Sequence, residues 1–352
     1  MKIANVKFSD LRVSRLRGIK ETEIRNLSQI NVFFGKNNCG KSTILEAILL
    51  LTGQSNPTLP VRINTARGYR ELQNPNDVKV EFYNLDTQEP IVIESKGKDE
   101  RHLEISLIRS ISHGVDFSEE STTHSQMADS YFGLKLKYAG DKASEIIFKD
   151  GEDKKKARTR IDEKYQENLV ARLVGPRNSS NVNDIYEMVG SIIENKQKNV
   201  LISALQILEP KLTDILVVGT NIMVDIGQEK YLPIQVMGDG IWRILSVLVH
   251  IYYCANGIVL IDEVDNGLHY SVMPKFWQSI FKMVLEHDVQ MFVTTHNLDS
   301  LKGLIEVIYE NKAYCELLSS YKLIKTESDE VKAVRYDAEH LNFMIEQDIE
   351  MR

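Results

Sequence analysis

Ile30-Asn31-Val32-Phe33-Phe34-Gly35-Lys36-Asn37-Asn38-Cys39-Gly40-Lys41-Ser42-Thr43-Ile44-Leu45-Glu46-Ala47-Ile48-Leu49-Leu50-Leu51 is the stretch that decides the fold. Ile30 to Phe34 is an apolar run that reads as a buried strand. Ser42 to Leu51 holds good helix formers and no breaker. Between them, Gly35 to Ser42 matches G-x-x-x-x-G-K-S at every defined position, in the strand–loop–helix setting that this pattern requires. Glycines let such a loop curl until its backbone N–H groups converge on a phosphate, and the helix N-terminus adds partial positive charge. Gly35, Lys36, Asn37, Asn38, Cys39 and Gly40 form the cradle. Lys41 is a mobile cation for the β- and γ-phosphates, Ser42 offers a hydroxyl to Mg2+, and Thr43 stands to touch the α-phosphate. ATP with Mg2+ is the expected ligand.

Working outward, Ile258-Val259-Leu260-Ile261-Asp262-Glu263 is a second apolar strand that ends in two acids. A strand end that lifts Asp262 to the carboxyl edge of the sheet, beside the phosphate loop, lets it hold Mg2+. Glu263 is then positioned to orient and polarise the attacking water of an in-line phosphoryl transfer. Alone, such a pair is as often a solvated turn; the phosphate loop tips the reading. His296 follows the strand-like Val289 to Thr295, one strand–helix–strand unit later, so it ends on the same rim. There it can hydrogen-bond the γ-phosphate. Met237-Gly238-Asp239-Gly240-Ile241-Trp242-Arg243 opens the helix before Ile258 and reads either as an anion-binding nest or as a plain turn.

Elsewhere Leu11 to Ser14 and Glu21 to Ile24 alternate like strands. Residues 54–75 are rich in Pro, Asn, Gly and Arg and read as loop. Val78–Phe82, Pro90–Glu94, Leu103–Ile108 and Leu134–Tyr138 read as strands of an antiparallel lobe. Helical periodicity marks 181–208, and Val272 to Leu285 is an amphipathic helix. Tyr321–Lys325 and Val331–Tyr336 suggest a hairpin. Three parts are expected: 1–53 with the N-terminal hairpin and phosphate loop, 54–230 as an inserted β and helical region, and 231–352 as the rest of the core.

A net charge of −7 argues against a whole-surface nucleic-acid binder but leaves a local basic groove open. Gly151 to Arg160 is the most basic segment, either a solvated loop or a phosphate-backbone contact. Cys39, Cys254 and Cys315 form no metal-ligand spacing and suit a reducing cytosol. The N-terminus lacks an apolar signal region, and no stretch approaches a membrane span; the run from Ile244 to Ala255 is broken by Ser246 and His250. A cytoplasmic location without membrane contact is the expectation.

Taken in order, the phosphate loop, Gly238-Asp239-Gly240, Asp262-Glu263, Asp265-Asn266-Gly267-Leu268-His269 and His296 resemble the ABC-type head domains of the RecF/SMC/OLD group. Arg15-Leu16-Arg17-Gly18-Ile19-Lys20 ahead of Ile30 resembles that group's opening. More narrowly, the chain is similar to stand-alone ATPases of bacterial anti-phage and abortive-infection systems. The resemblance implies an α/β fold: an ABC-type P-loop NTPase head with a mixed central sheet, an antiparallel β lobe and a small helical lobe. It further implies that two heads close on two ATPs as a homodimer. Lys41, Ser42, Asp262 and Glu263 would act in cis, while Gly238, Asp239 and Gly240 cap the γ-phosphate in trans. Asp265 would lie in the loop linking the sites, and Arg17 would reach the nucleotide.

Three departures from the group's pattern stand out. Gly238 occupies the serine position of a Ser-x-Gly-x-x-Arg signature, no glutamine marks a Q-loop (Val170–Val174 before Gly175 stands in its place), and nothing after His296 resembles a TOPRIM nuclease. An ATPase that controls a separately encoded effector, a nuclease or toxin, in phage defence is therefore the leading expectation. The alternative is a RecF-like repair ATPase that binds DNA, and a slow ATP-binding switch is a further one.

Overall fold

The computed structural model describes residues 6–69, 75–112, 129–149, 157–175 and 182–347. Lys154 to Lys156, the centre of the basic segment, lie outside them. The N-terminal hairpin is β1 (Phe8–Leu16) and β2 (Ile19–Ile24), followed by β3 (Ile30–Phe34) and α1 (Lys41–Thr52). Next come α2 (Leu59–Ala66), α3 (Pro75–Lys79), β4 (Ile91–Gly97), β5 (Arg101–Ser112), β6 (Asp129–Tyr138), β7 (Lys142–Lys149), β8 (Arg158–Arg160) and β9 (Ala171–Val174). A helical and β segment holds α4 (Val182–Glu194), α5 (Lys198–Leu205), β10 (Asp214–Val218), β11 (Asn221–Asp225) and β12 (Leu232–Pro233). The remainder is α6 (Asp239–Tyr253), β13 (Ile258–Ile261), α7 (Met273–Glu286), β14 (Gln290–Thr294), α8 (Leu298–Glu310), β15 (Leu318–Lys325), β16 (Val331–Tyr336) and α9 (Ala338–Glu346).

The central sheet has the order β16-β15-β3-β14-β13-β9, parallel from β15 through β9 and closed at one edge by the antiparallel β15–β16 hairpin. Parallel strands covered on both faces read as unbroken apolar runs. β3, β13 and β14 have every residue buried. Their alternation splits two cores. Val32, Val259 and Val293 point into the core built with α4 to α8, while Phe33, Leu260 and Phe292 point to the one built with α1 and the second sheet.

That second sheet is wholly antiparallel, in the order β2-β1-β4-β5-β6-β7-β8. β1 pairs with β4, so the N-terminal hairpin and the β lobe form one sheet across the 53/54 division expected from sequence. Gln290, fully buried on β14, stitches it to the central sheet. Its Oε1 accepts from the N–H groups of Lys7 and Phe8, and its Nε2 donates to the carbonyls of Phe8 and Ser28.

Two local expectations differ from the structure. Within 54–75, read as loop, Leu59–Ala66 is helical, with Pro60 in the first turn where a missing N–H costs nothing. Val78 and Lys79, read as the start of a strand, end the short α3. Of that stretch only Phe82 bridges, to Leu16. Val78 and Phe82 are both buried there, so the apolar alternation records burial without a strand.

Candidate functional site

The phosphate loop is fixed by backbone that only particular residues tolerate. Gly35 has φ 139°, and a Cβ there would stand 2.6 Å from the carbonyl oxygen of Leu323 on β15. Any side chain at this position therefore collides with backbone. Gly40, φ 98°, caps α1, and Asn38 also has positive φ, as Asn tolerates better than most residues. Lys36, Asn37 and Asn38 are exposed, whereas Cys39 and Lys41 are buried. The Lys41 ammonium donates to the carbonyls of Gly35 and Lys36, each at 2.8 Å, with the Cys39 sulfur at 3.9 Å. The loop thus holds its own lysine over the curl.

Asp262 and Glu263 leave the carboxyl end of β13. β14 lies between β13 and β3, so Asp262 is separated from the loop's strand by one strand. That intervening strand delivers Thr294, Thr295 and His296 into the gap. Thr294 is the hub: its hydroxyl donates to Asp262 Oδ1 and accepts from the Glu263 N–H at 2.8 Å. Glu263 is held at φ 50°, left-handed backbone that is uncommon for a residue with a side chain. Its Oε1 lies 3.8 Å from His296 Nδ1, both side chains being partly exposed. The two residues picked out from separate strands therefore meet. Asp265 is buried and accepts a hydrogen bond of 2.6 Å from the Thr295 hydroxyl.

Gly238, with φ 92°, precedes α6; Gly238 and Asp239 are exposed. A Cβ on Gly240 would come within 3.2 Å of the Gly267 carbonyl, so the α6 start and the Asp265–His269 loop form one continuous surface. Val236 and Tyr270, both more than 60 % exposed, flank it. Arg243, one turn into α6, is buried. It donates to the carbonyls of Gly175, Asp262 and Glu263, each at 2.7 Å. Neither Thr294 nor Arg243 was singled out from sequence for these contacts. Their partners are distant in the chain: Thr294 bonds Asp262 and Glu263, and Arg243 bonds Gly175, Asp262 and Glu263.

Arg17, expected to reach the nucleotide, has its guanidinium engaged elsewhere. It pairs with Glu46 at 2.8 Å and Glu81 at 3.1 Å and donates to Asn64 Oδ1. Glu46 lies one turn beyond Ser42 on α1 and also pairs with Arg67. Burial pushes the Glu81 carboxyl up to about 7, offset in part by Arg17 and raised further by Glu46. An acid whose folded pKa lies above its unfolded value contributes stability that is complete at low pH and lost as pH rises through 7. Between pH 6 and 8.5 that loss is on the order of 1 kcal/mol. Glu81→Gln is expected to remove it, so the wild-type unfolding midpoint should fall relative to the variant over this range. Parallel midpoints would contradict the assignment.

No group of three or more His, Cys, Asp or Glu side chains among the described residues is arranged to hold a metal. Ser42 and Asp262 offer two oxygen donors. That donor set fits Mg2+, which keeps several waters and takes further ligands from substrate phosphates.

The family described as "AAA domain, putative AbiEii toxin, Type IV TA system" matches residues 30–301. An "ATP/GTP phosphatase" of Helicobacter pylori is 25% identical over 337 residues, covering 86% of this chain and 89% of that protein. An uncharacterized protein of Methanocaldococcus jannaschii is 50% identical over 40 residues, 11% of this chain and 18% of that protein. Among solved structures, the SMC head bound to the C-winged helix domain of ScpA superposes with TM-score 0.51 at 13% identity, over 95% of this chain and 99% of that one. That likeness shows the fold, an ABC-type P-loop ATPase head. The chain belongs to the AAA-domain family of putative AbiEii toxins of type IV toxin–antitoxin systems.

Proposed function

We propose that this chain binds Mg-ATP in the Gly35–Thr43 loop and hydrolyses it, with Glu263 polarising the attacking water. The observation that carries the reading is that the phosphate loop, Asp262-Glu263 and His296 follow the carboxyl ends of three adjacent parallel strands, with Thr294 bonded to Asp262 and Glu263 and with Glu263 facing His296. Lys41 neutralises β/γ-phosphate charge, and His296 contacts the γ-phosphate while facing Glu263. Ser42 and Asp262 would hold Mg2+, which when bound would supply neutralisation of phosphate charge. The name of the Helicobacter pylori relative supports triphosphate hydrolysis and makes GTP the competitor to test beside ATP.

The site is completed in this reading by a second copy, whose Gly238, Asp239 and Gly240 cap the γ-phosphate. Exposed Val236 and Tyr270 beside that motif support a surface that a second copy covers. Closure and turnover then signal to a separately encoded effector in phage defence. The family's description as a putative toxin of a type IV toxin–antitoxin system supports a function exercised together with a second gene product. Glu263→Gln is expected to lower turnover by about 100-fold or more while leaving ATP bound. In light scattering with Mg-ATP it should run as a dimer; a protein monomeric at every ATP concentration removes the trans site from the reading. Salt-sensitive binding of duplex DNA to wild type would favour the repair-type alternative.

A further inference from the structure

Arg243 is a buried cation whose hydrogen bonds all go to backbone. Nη1 donates to the Gly175 carbonyl and Nη2 to those of Asp262 and Glu263, all at 2.7 Å. Its Nε is buried with no partner. Burial pushes the guanidinium down to about 10, opposed by the charges of Asp265, Asp262 and Glu263, so it stays protonated at neutral pH. A charged group this deeply desolvated is costly for stability alone, and an apolar residue packs such a position more readily.

What the contacts accomplish is specific. Arg243 lies four residues after Asp239 and three after Gly240, so it belongs to the first turns of the helix whose N-terminus faces outward. The peptide it grips bears the carbonyl of Glu263, the residue at φ 50°. On the other side, the Glu263 N–H is held by Thr294 Oγ1. Two anchors on this residue fix its backbone, and with it the direction in which its Cα–Cβ bond leaves the chain, and one of those anchors belongs to α6. The third contact, to Gly175, ties the end of β9 to the same fork. A planar guanidinium spans three carbonyls at once; a lysine ammonium on a flexible stem does not reproduce that fork.

We propose that Arg243 is a positioning residue that couples the Gly238–Gly240 helix start to the backbone of Glu263, so that engagement of a nucleotide by one copy's α6 aligns that copy's own Glu263 for hydrolysis. This rests on the trans-capped ATPase reading above. It adds the physical link by which each site senses the other. A shift of α6 toward a γ-phosphate moves the guanidinium, and with it the carbonyls on which Asp262 and Glu263 hang. A misplacement on the order of 1 Å costs about 100-fold in rate, so the link need not move far.

The test compares wild type, Arg243→Lys and Arg243→Met for Mg-ATP affinity, kcat, KM and thermal unfolding, alone and in the Glu263→Gln background. Arg243→Lys is expected to bind ATP within a few-fold of wild type and still to dimerise when combined with Glu263→Gln, while kcat falls about 100-fold. In wild type the specific rate should rise with protein concentration, and that dependence should flatten in the variant. An unchanged kcat overturns the proposal, as does a fall matched by equal losses of ATP affinity and folding. Wild type that fails to hydrolyse ATP, or Glu263→Gln that fails to dimerise, strikes at the underlying reading instead. Should both Arg243 variants fail to fold, hydrogen exchange on wild type decides. Peptides spanning 238–246 and 262–266 should respond together to Mg-ATP, and a response in one alone overturns the link.

Discussion

Lys41→Ala is expected to weaken ATP binding roughly 1,000-fold and to bring turnover to background. Its ammonium is nearly buried, 9 % exposed, and reaches outward only as far as the loop's own carbonyls of Gly35 and Lys36. Those two bonds keep the charge over the curl of the loop, where in the proposed reading a phosphate would also meet the N–H groups at the start of α1. Hydrogen bonds to charged groups contribute about 1.5–3 kcal/mol each. Losing two to phosphate oxygens therefore costs about 4 kcal/mol, roughly a 1,000-fold weaker Kd. Calorimetric titration with Mg-ATP measures this directly. Glu263→Gln supplies the contrast, since it should keep affinity and lose turnover, whereas Lys41→Ala should lose both. Lys41→Ala that retains affinity within about tenfold would place the triphosphate outside this loop, because a tenfold loss is only about 1.4 kcal/mol. Folding is controlled by thermal unfolding without nucleotide, where the variant should stay close to wild type.

The parts of this architecture that were legible in the sequence are those whose signal is local. β3, β13 and β14 are buried on both faces, so each reads as a largely apolar run, and each leads directly into residues of the candidate site. Glycines at 35 and 40 announce backbone that other residues do not adopt. Pairings between distant segments leave no such mark. Nothing in the alternation of Leu11 to Ser14 says that β1 will lie against β4 some 80 residues on. Arg17 shows the same limit. The family resemblance implied that it reaches the nucleotide, while in the structure its guanidinium pairs with Glu46 and Glu81 from two other elements. The Arg243 fork and the Thr294 hub are long-range in the same sense: both residues stand in plain view, and their roles exist only once three strand ends share a rim.

Removing the guanidinium at Arg101 is expected to be the largest effect on stability, and it bears on the phosphate loop from the far end of α1. Arg101 begins β5, and its side chain is 2 % exposed. Nη1 donates to the carbonyls of Leu51 and Thr52, among the last of α1, at 3.2 and 2.8 Å. The rest of the fork pairs with Asp99 at 3.0 Å and Glu167 at 2.7 Å and reaches Asn168. One residue thus satisfies helix-terminal carbonyls that have no intrahelical partner, opposes the negative end of the helix dipole and neutralises two carboxylates. Breaking a buried pair by removing one partner costs about 3–5 kcal/mol. Asp99 and Glu167 each keep about a quarter of their exposure, so the lower end applies. Arg101→Met, which keeps the stem and removes the fork, should therefore lose about 3 kcal/mol. For a chain of this size that lowers the unfolding midpoint by roughly 4 °C. Because α1 carries the phosphate loop at its other end, Mg-ATP should restore part of the loss in proportion to occupancy. A midpoint within about 1 °C of wild type would mean that less than 1 kcal/mol rests on the clamp. A full loss without nucleotide rescue would mean that α1 no longer presents the loop at all.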